Sequence, residues 1–142
     1  MISDNLKALR KIHHYSQEEV AEKLQVSRQA VAKWENGDTT PDIHNCAALA
    51  GLYDVTVDDL IHYDNKENAS LPIPPKGKHM FGVVVVGEKG QIVIPKKARQ
   101  VFDIKPGDNL LLFGDEQQGI GIMKEDVMLN MFNEMRRSSS RD

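Results

Sequence analysis

The run SQEEVAEKLQVSRQAVAKWENG, residues 16–37, encodes two short helices and the turn between them. Ser16 and Glu19 stand at capping-box spacing. The Ser16 hydroxyl can accept from the Glu19 amide while the Glu19 carboxylate reaches back to the Ser16 amide, which sets where the first helix begins. Val20, Ala21 and Leu24 then share one face, and the small Ala21 admits a neighbouring helix. Gln25-Val26 reads as the turn and Ser27 as the cap of the next helix. At 100° per residue Ala30, Val31 and Trp34 gather on one side of that helix, with Arg28, Gln29, Ala32, Lys33 and Asn36 on the opposite arc. The first side is core, and Trp34 belongs to it rather than to a base-stacking platform. The opposite arc carries a bidentate donor for guanine, a bidentate amide for adenine and cations for phosphate. Taken alone, such an arc is more often simply a solvated helix face, since polar outer faces are the rule.

Working outward, residues 4–62 read as five helices with single-turn breaks, Asp42 capping one of them. Residues 64–80, DNKENASLPIPPKGKHM, have no periodicity and hold three prolines, which describes a partly stiff linker reaching up to about 55 Å when extended. Beyond it the period changes. Phe81 to Val86 and Gln91 to Ile94 are rich in β-branched residues around the turn Gly87–Gly90 and are expected to form a hairpin. Pro95 opens a short helix over KKARQVF, and Lys105–Asp108 turns into a second strand pair, Asn109 to Gly114 and Gly119 to Met123. Residues 125–135 carry Val127, Met128, Met131, Phe132 and Met135 at helical spacing, and the tail RRSSSRD is expected to be disordered.

The composition, 40% hydrophobic and 27% charged, is that of an ordinary globular protein. One cysteine, Cys46, excludes an internal disulfide framework. No apolar run approaches the roughly 20 residues that span a bilayer, so a cytoplasmic protein with no membrane partner is expected. The net charge is −3, and residues 1–63 hold six Lys/Arg against ten Asp/Glu. Bulk charge therefore gives no support to nucleic-acid binding, and phosphate contacts must come from local cations. His13-His14 are adjacent rather than helically spaced, and His44-x-Cys46 lacks a second ligand pair, so no metal is expected. With no Gly-rich phosphate loop and no nucleophile–base constellation, no enzymatic activity and no cofactor are expected.

Residues 5–61 resemble the Cro/CI-type (Xre-like) helix-turn-helix family, whose pattern residues 16–37 follow almost verbatim. The resemblance implies that Ser27, Arg28, Gln29 and Lys33 face base edges or nearby phosphates, with Ala32 and Asn36 on the same surface. It also implies that Gln17 meets a backbone phosphate, that the Asn36-Gly37 loop approaches the next one, and that Arg10 pairs with Glu35. Residues 81–124 resemble the AbrB/MazE/SpoVT swapped-hairpin family through Gly90–Pro95, the helix after it and Ile104–Asp108. That resemblance implies a barrel interleaved from two chains. Relatives often bind DNA through the barrel, but here the first strand, FGVVVV, has no cation, and Gln91 and Gln100 stand where relatives often carry Arg. Lys89, Lys96, Lys97 and Arg99 remain as a secondary phosphate-facing patch.

The expected fold class is α+β in two domains, a five-helix lambda-repressor-like domain and an AbrB-like swapped-hairpin barrel dimer with a C-terminal helix. The expected divisions are a DNA-binding domain at 1–63, a Pro-containing linker at 64–80, a dimerisation domain at 81–124, and an amphipathic helix with tail at 125–142. The expected function is a dimeric, sequence-specific repressor of transcription that reads a two-half-site operator in double-stranded DNA. Helix 5, near Val57, Leu60 and Ile61, offers a contact between the two heads. An antitoxin that represses its own operon is the alternative, with residues 125–142 as the site of a protein partner.

Overall fold

The computed structural model describes residues 1–139. Helices α1 (Ile2–Ile12), α2 (Gln17–Leu24), α3 (Arg28–Asn36), α4 (Ile43–Tyr53) and α5 (Val57–His62) fill the N-terminal part. Each of the last four begins behind a short oxygen-bearing side chain. Ser16, Ser27, Asp42 and Thr56 accept from the amides of Glu19, Ala30, Asn45 and Asp59, which removes one unpaired donor from each helix start. The Ser16–Glu19 box closes in both directions, the Ser16 amide donating to Glu19 Oε2 at 2.9 Å.

The helix ends are equally regular. His14, Gln25, Gly37 and Asp54 take left-handed backbone, and the amide after each reaches back one turn: Tyr15 to Arg10, Val26 to Ala21, Asp38 to Lys33, Val55 to Ala50. This pattern satisfies the last carbonyls and turns the chain sharply, allowing five short helices to pack closely. Of the four positions only Gly37 is a glycine. Leu6, Leu9, Val20, Ala21, Val31, Trp34, Cys46, Leu49, Ala50, Tyr53, Val55 and Leu60 form one core between these helices. Leu49, Leu60 and Val20 are fully buried, each contributing about 1.5–3 kcal/mol by transfer from water. Leu60, expected near a head-to-head contact, is thus a core residue at 0% exposure, while Val57 and Ile61 of the same helix are exposed.

Residues 64–80 run along the helical unit. The Tyr63 hydroxyl donates to Leu71 O at 2.8 Å and lies 3.1 Å from Pro72 O, the Lys76 amide donates to Asp54 O at 2.7 Å, and Ile73 packs on the core. Compact units extend from Met1 to Ile92 and from Val93 onward.

The hairpin expected over residues 81–94 is present only as its turn. The Gly87 amide donates to Gln91 O at 2.8 Å, and the Gly90 amide to Gly87 O at 2.9 Å, with no strand on either side. Val83 to Val86 are all exposed, Val85 at 87%. β-branched residues favour extended backbone, but a lone two-stranded ribbon buries too little apolar surface to hold its ladder.

The second unit contains α6 (Lys96–Val101), β1 (Leu110–Asp115), β2 (Gly119–Lys124) and α7 (Glu125–Ser139). β1 and β2 pair antiparallel, Leu110 opposite Lys124 and Asp115 opposite Gly119, and α7 packs against both. A Cβ at Gly121 would come within 2.5 Å of the Phe113 ring directly across the ladder, so glycine makes room for that ring. Within the single chain the sheet has two strands and is open; the barrel expected from the resemblance is interleaved from two chains. Helix α7 continues through Ser139, so residues 136–139 of the expected disordered tail are helical, and residues 140–142 lie outside the described residues.

Candidate nucleic-acid interface

Helix α3 presents the polar arc expected of it. Arg28, Gln29, Lys33 and Asn36 are exposed and Ala32 is half-buried, while Val31 and Trp34 are buried. Ser27 holds the helix start, its Oγ accepting from Ala30 N at 3.1 Å. Gly37, at φ +81°, ends the helix, a conformation that disfavours any residue with a Cβ.

The remaining charge of α3 is Glu35, which is 7% exposed and points the other way. Arg10 of α1 clamps its carboxylate from both sides, Nε to Oε1 at 2.6 Å and Nη2 to Oε2 at 3.0 Å, and its Nη1 donates to Tyr15 O at 3.0 Å. Gln17 Nε2 donates to the same Glu35 oxygen at 2.9 Å. Burial alone would raise the Glu35 pKa. The hydrogen bonds from Arg10 and Gln17, with the charges of Arg10 and Lys7, outweigh it and hold the carboxyl below its ordinary value. Because its carboxylate is buried and paired, α3 shows solvent only the cations Arg28 and Lys33. An acidic domain thus has a locally cationic helix face, which bulk charge concealed.

The Arg10–Glu35 pair therefore forms as the resemblance implied. Gln17, expected at a phosphate, is half-buried and has its amide tied to Glu35, bridging the start of α2 to the end of α3. Lys89 sits in the Gly87–Gly90 turn of the first unit, its amide donating to Gln91 Oε1 at 3.0 Å. Lys96, Lys97 and Arg99 lie on α6 of the second unit, exposed, with Arg99 Nε donating to Ile94 O at 3.1 Å.

Sequence reasoning did not anticipate the ring cluster beside the network. His13 stacks on Tyr15 and tilts against Tyr53, and the Lys23 ammonium lies 5.2 Å from the Tyr15 ring centroid. Burial, with the nearby Glu35 charge, pushes the Tyr53 phenol well above its usual pKa. Tyr53 joins the other three from 30 or more residues away, and no local spacing marks it. Among the described residues no group of three or more His, Cys, Asp or Glu side chains is placed to hold a metal ion. No helix among them is long and apolar enough to cross a membrane.

Residues 6–60 match the family described as helix-turn-helix, and residues 83–126 match the one described as antidote-toxin recognition MazE, bacterial antitoxin. Over 59 residues the chain is 36% identical to the HTH-type transcriptional activator BcrR of Enterococcus faecalis, which covers 42% of this chain and 29% of that protein. The chain therefore spans less than a third of that relative's length. Over 66 residues it is 32% identical to an uncharacterized HTH-type transcriptional regulator of Methanocaldococcus jannaschii, covering 46% of this chain and all of that one. Among solved structures, the biofilm master regulator SinR in complex with DNA aligns at TM-score 0.42 and 32% identity, over 44% of this chain and all of that one. With the helix-turn-helix match over α1 to α5 and a relative contained whole within the alignment, the chain belongs to the HTH-type transcriptional regulators.

Proposed function

We propose that the protein is a dimeric, sequence-specific DNA-binding repressor whose two α3 helices read the half-sites of one operator. The observation that carries this reading is the α3 surface, where Arg28, Gln29, Lys33 and Asn36 are exposed and the one carboxylate is buried against Arg10. Arg28 and Gln29 have the donor geometry for guanine and adenine edges, Ala32 can meet a thymine methyl, and Ser27, Lys33, Asn36 and Gln17 serve nearby phosphates. Gln17 does so only by sharing or releasing its bond to Glu35. The protein acts as a cytoplasmic regulator and not an enzyme, and it uses no cofactor.

The dimer is built from residues 81–124. Two facts support it: Ala98 is the only buried hydrophobic of the second unit among the described residues, and Val85, Val86, Leu112 and Ile120 stand exposed. Apolar surface of this extent in a short strand-rich segment is covered when a second copy completes the sheet. In that assembly residues 1–63 are the reading head, 64–80 join it to the dimerisation segment, and 125–142 follow it. Lys89, Lys96, Lys97 and Arg99 add at most a secondary phosphate contact.

Selecting bound sites from random DNA tests the whole reading. The expected result is a twofold-symmetric site with half-sites separated by about one helical turn or a multiple of it. Arg28→Ala and Gln29→Ala should each weaken that site by about 1–3 kcal/mol, roughly 5- to 150-fold, with the Trp34 emission of the folded head unchanged. Specific binding that survives both substitutions refutes the assignment of α3.

The similarity of residues 83–126 to an antitoxin family and the exposed Leu129, Phe132 and Met135 on α7 favour one second reading, an antitoxin that represses its own operon. A small protein that copurifies with the full chain, and is lost on deleting residues 125–142, selects that reading.

A further inference from the structure

Residues 63–82 do not behave as a free tether. Tyr63 is buried, and its hydroxyl binds the chain at Leu71 and Pro72. Ile73 sits on the helical core, and the Lys76 amide is held by the carbonyl of Asp54 at the end of α4. Between these anchors the segment is braced internally. The Ser70 amide donates to Asn65 O at 2.7 Å, and Asn68 Nδ2 to Asp64 O at 2.7 Å. Past the last anchor, His79 stacks on Phe81, and a Cβ at Gly82 would lie 3.5 Å from Glu67 O. The chain thus returns to its own strap where the dimerisation segment begins.

We infer that this strap is a positioning element that fixes where the dimerisation segment leaves the reading head and so makes the protein selective for half-site spacing. A free tether of 17 residues reaches up to about 55 Å, whereas the four residues 77–80 past the Lys76 anchor reach up to about 14 Å. Two heads on long free tethers accept a wide range of half-site separations, because effective concentration changes slowly with span. Heads on docked straps accept a much narrower range. This inference rests on the dimeric operator-reading function above. Tyr63, Ile73 and Lys76 act through the geometry they impose, since none of them lies on the α3 surface.

The test compares the full-length protein with two strap-release variants. Tyr63→Phe/Ile73→Ser keeps the buried ring while removing the hydroxyl anchor and the apolar one. Lys76→Pro deletes the amide that Asp54 O accepts and alters no core side chain. Amide hydrogen exchange should show the Ser70, Leu71 and Lys76 amides protected in the parent, all three released in Tyr63→Phe/Ile73→Ser and the first two released in Lys76→Pro, with α1–α4 unchanged. On the selected operator, inserting about five base pairs between half-sites turns one by half a helical turn. The parent should lose at least about 10-fold in affinity and the variants less than about 3-fold, all binding a lone half-site equally. An unprotected Lys76 amide in the parent overturns the docking itself. Protected amides with a spacing profile the variants leave unchanged overturn the positioning role alone. If no operator is selected, the DNA-reading function fails and the positioning role with it, while hydrogen exchange still reports separately whether the strap docks.

Discussion

Arg10→Met isolates the network beneath helix α3. The substitution keeps an unbranched side chain of similar length but leaves Glu35 with Gln17 as its remaining hydrogen-bond partner. Removing one member of a buried ion pair costs about 3–5 kcal/mol, because the charge left behind stays desolvated. The Arg10 side chain keeps 15% exposure and that of Glu35 only 3%, so we place the cost near the lower end, about 3 kcal/mol. For a domain of this size that lowers the melting temperature by roughly 12–24 °C. The chain's single tryptophan, Trp34, lies in the head's core, so its emission follows unfolding of the head without the rest of the chain.

The pH dependence gives a second and sharper sign. In the parent, Glu35 has a folded pKa below its unfolded value of 4.5. Its contribution to stability is present above that unfolded value and is lost as pH falls through the lowered folded one. In Arg10→Met the burial remains while the main stabiliser of the anion is gone, so the folded pKa moves above the unfolded one. The variant should therefore gain stability as pH falls from neutral toward 5, where the parent gains none from this group. Arg10→Met/Glu35→Leu should recover most of the loss, since the stranded charge goes with its partner. A single variant that unfolds within about 1 kcal/mol of the parent, as a solvent-screened pair would, refutes the reasoning. So does a variant whose stability falls in parallel with the parent on acidification.

Two further outcomes are expected. Gln25→Gly should stabilise the head by about 0.5–1 kcal/mol in urea unfolding followed by Trp34, since Gln25 occupies left-handed backbone at φ 57° where a Cβ is penalised. Loss of stability would show that the Gln25 side chain contributes more than the strain costs. Val85→Asp should convert the protein to a monomer in sedimentation equilibrium and leave the Trp34 transition in place; a dimer that persists places the interface elsewhere.

The head was legible from residues 16–37 because its signals are local. A cap acts within one turn, and an apolar stripe at helical spacing is visible in any short window, so Ser16, Ser27, Asp42, Val31 and Trp34 took their expected roles. The contact surface of α3 followed, since whatever faces away from Val31 and Trp34 faces solvent. Where the sequence was silent, the outcome depended on partners distant in the chain. Gln17 looks like any exposed polar residue at a helix start until tertiary packing brings Glu35 within 2.9 Å of its amide. Residues 64–80 have the composition of a linker, yet Tyr63, Ile73 and Asp54 provide anchors that no window contains.

The extended residues on either side of the Gly87–Gly90 turn mark the opposite limit. Their β-branched side chains determine an extended backbone, but whether that backbone becomes a strand depends on apolar surface and ladder partners that this single chain does not supply. Sequence alone thus determined the helices, their caps and the polar arc that reads as a DNA surface, because each is settled within a few residues. Tertiary structure decided which charges that arc shows, by burying Glu35 on Arg10, and where the chain leaves the head, by docking the strap. Both rest on contacts between segments 25 or more residues apart or on backbone carbonyls that composition does not mark.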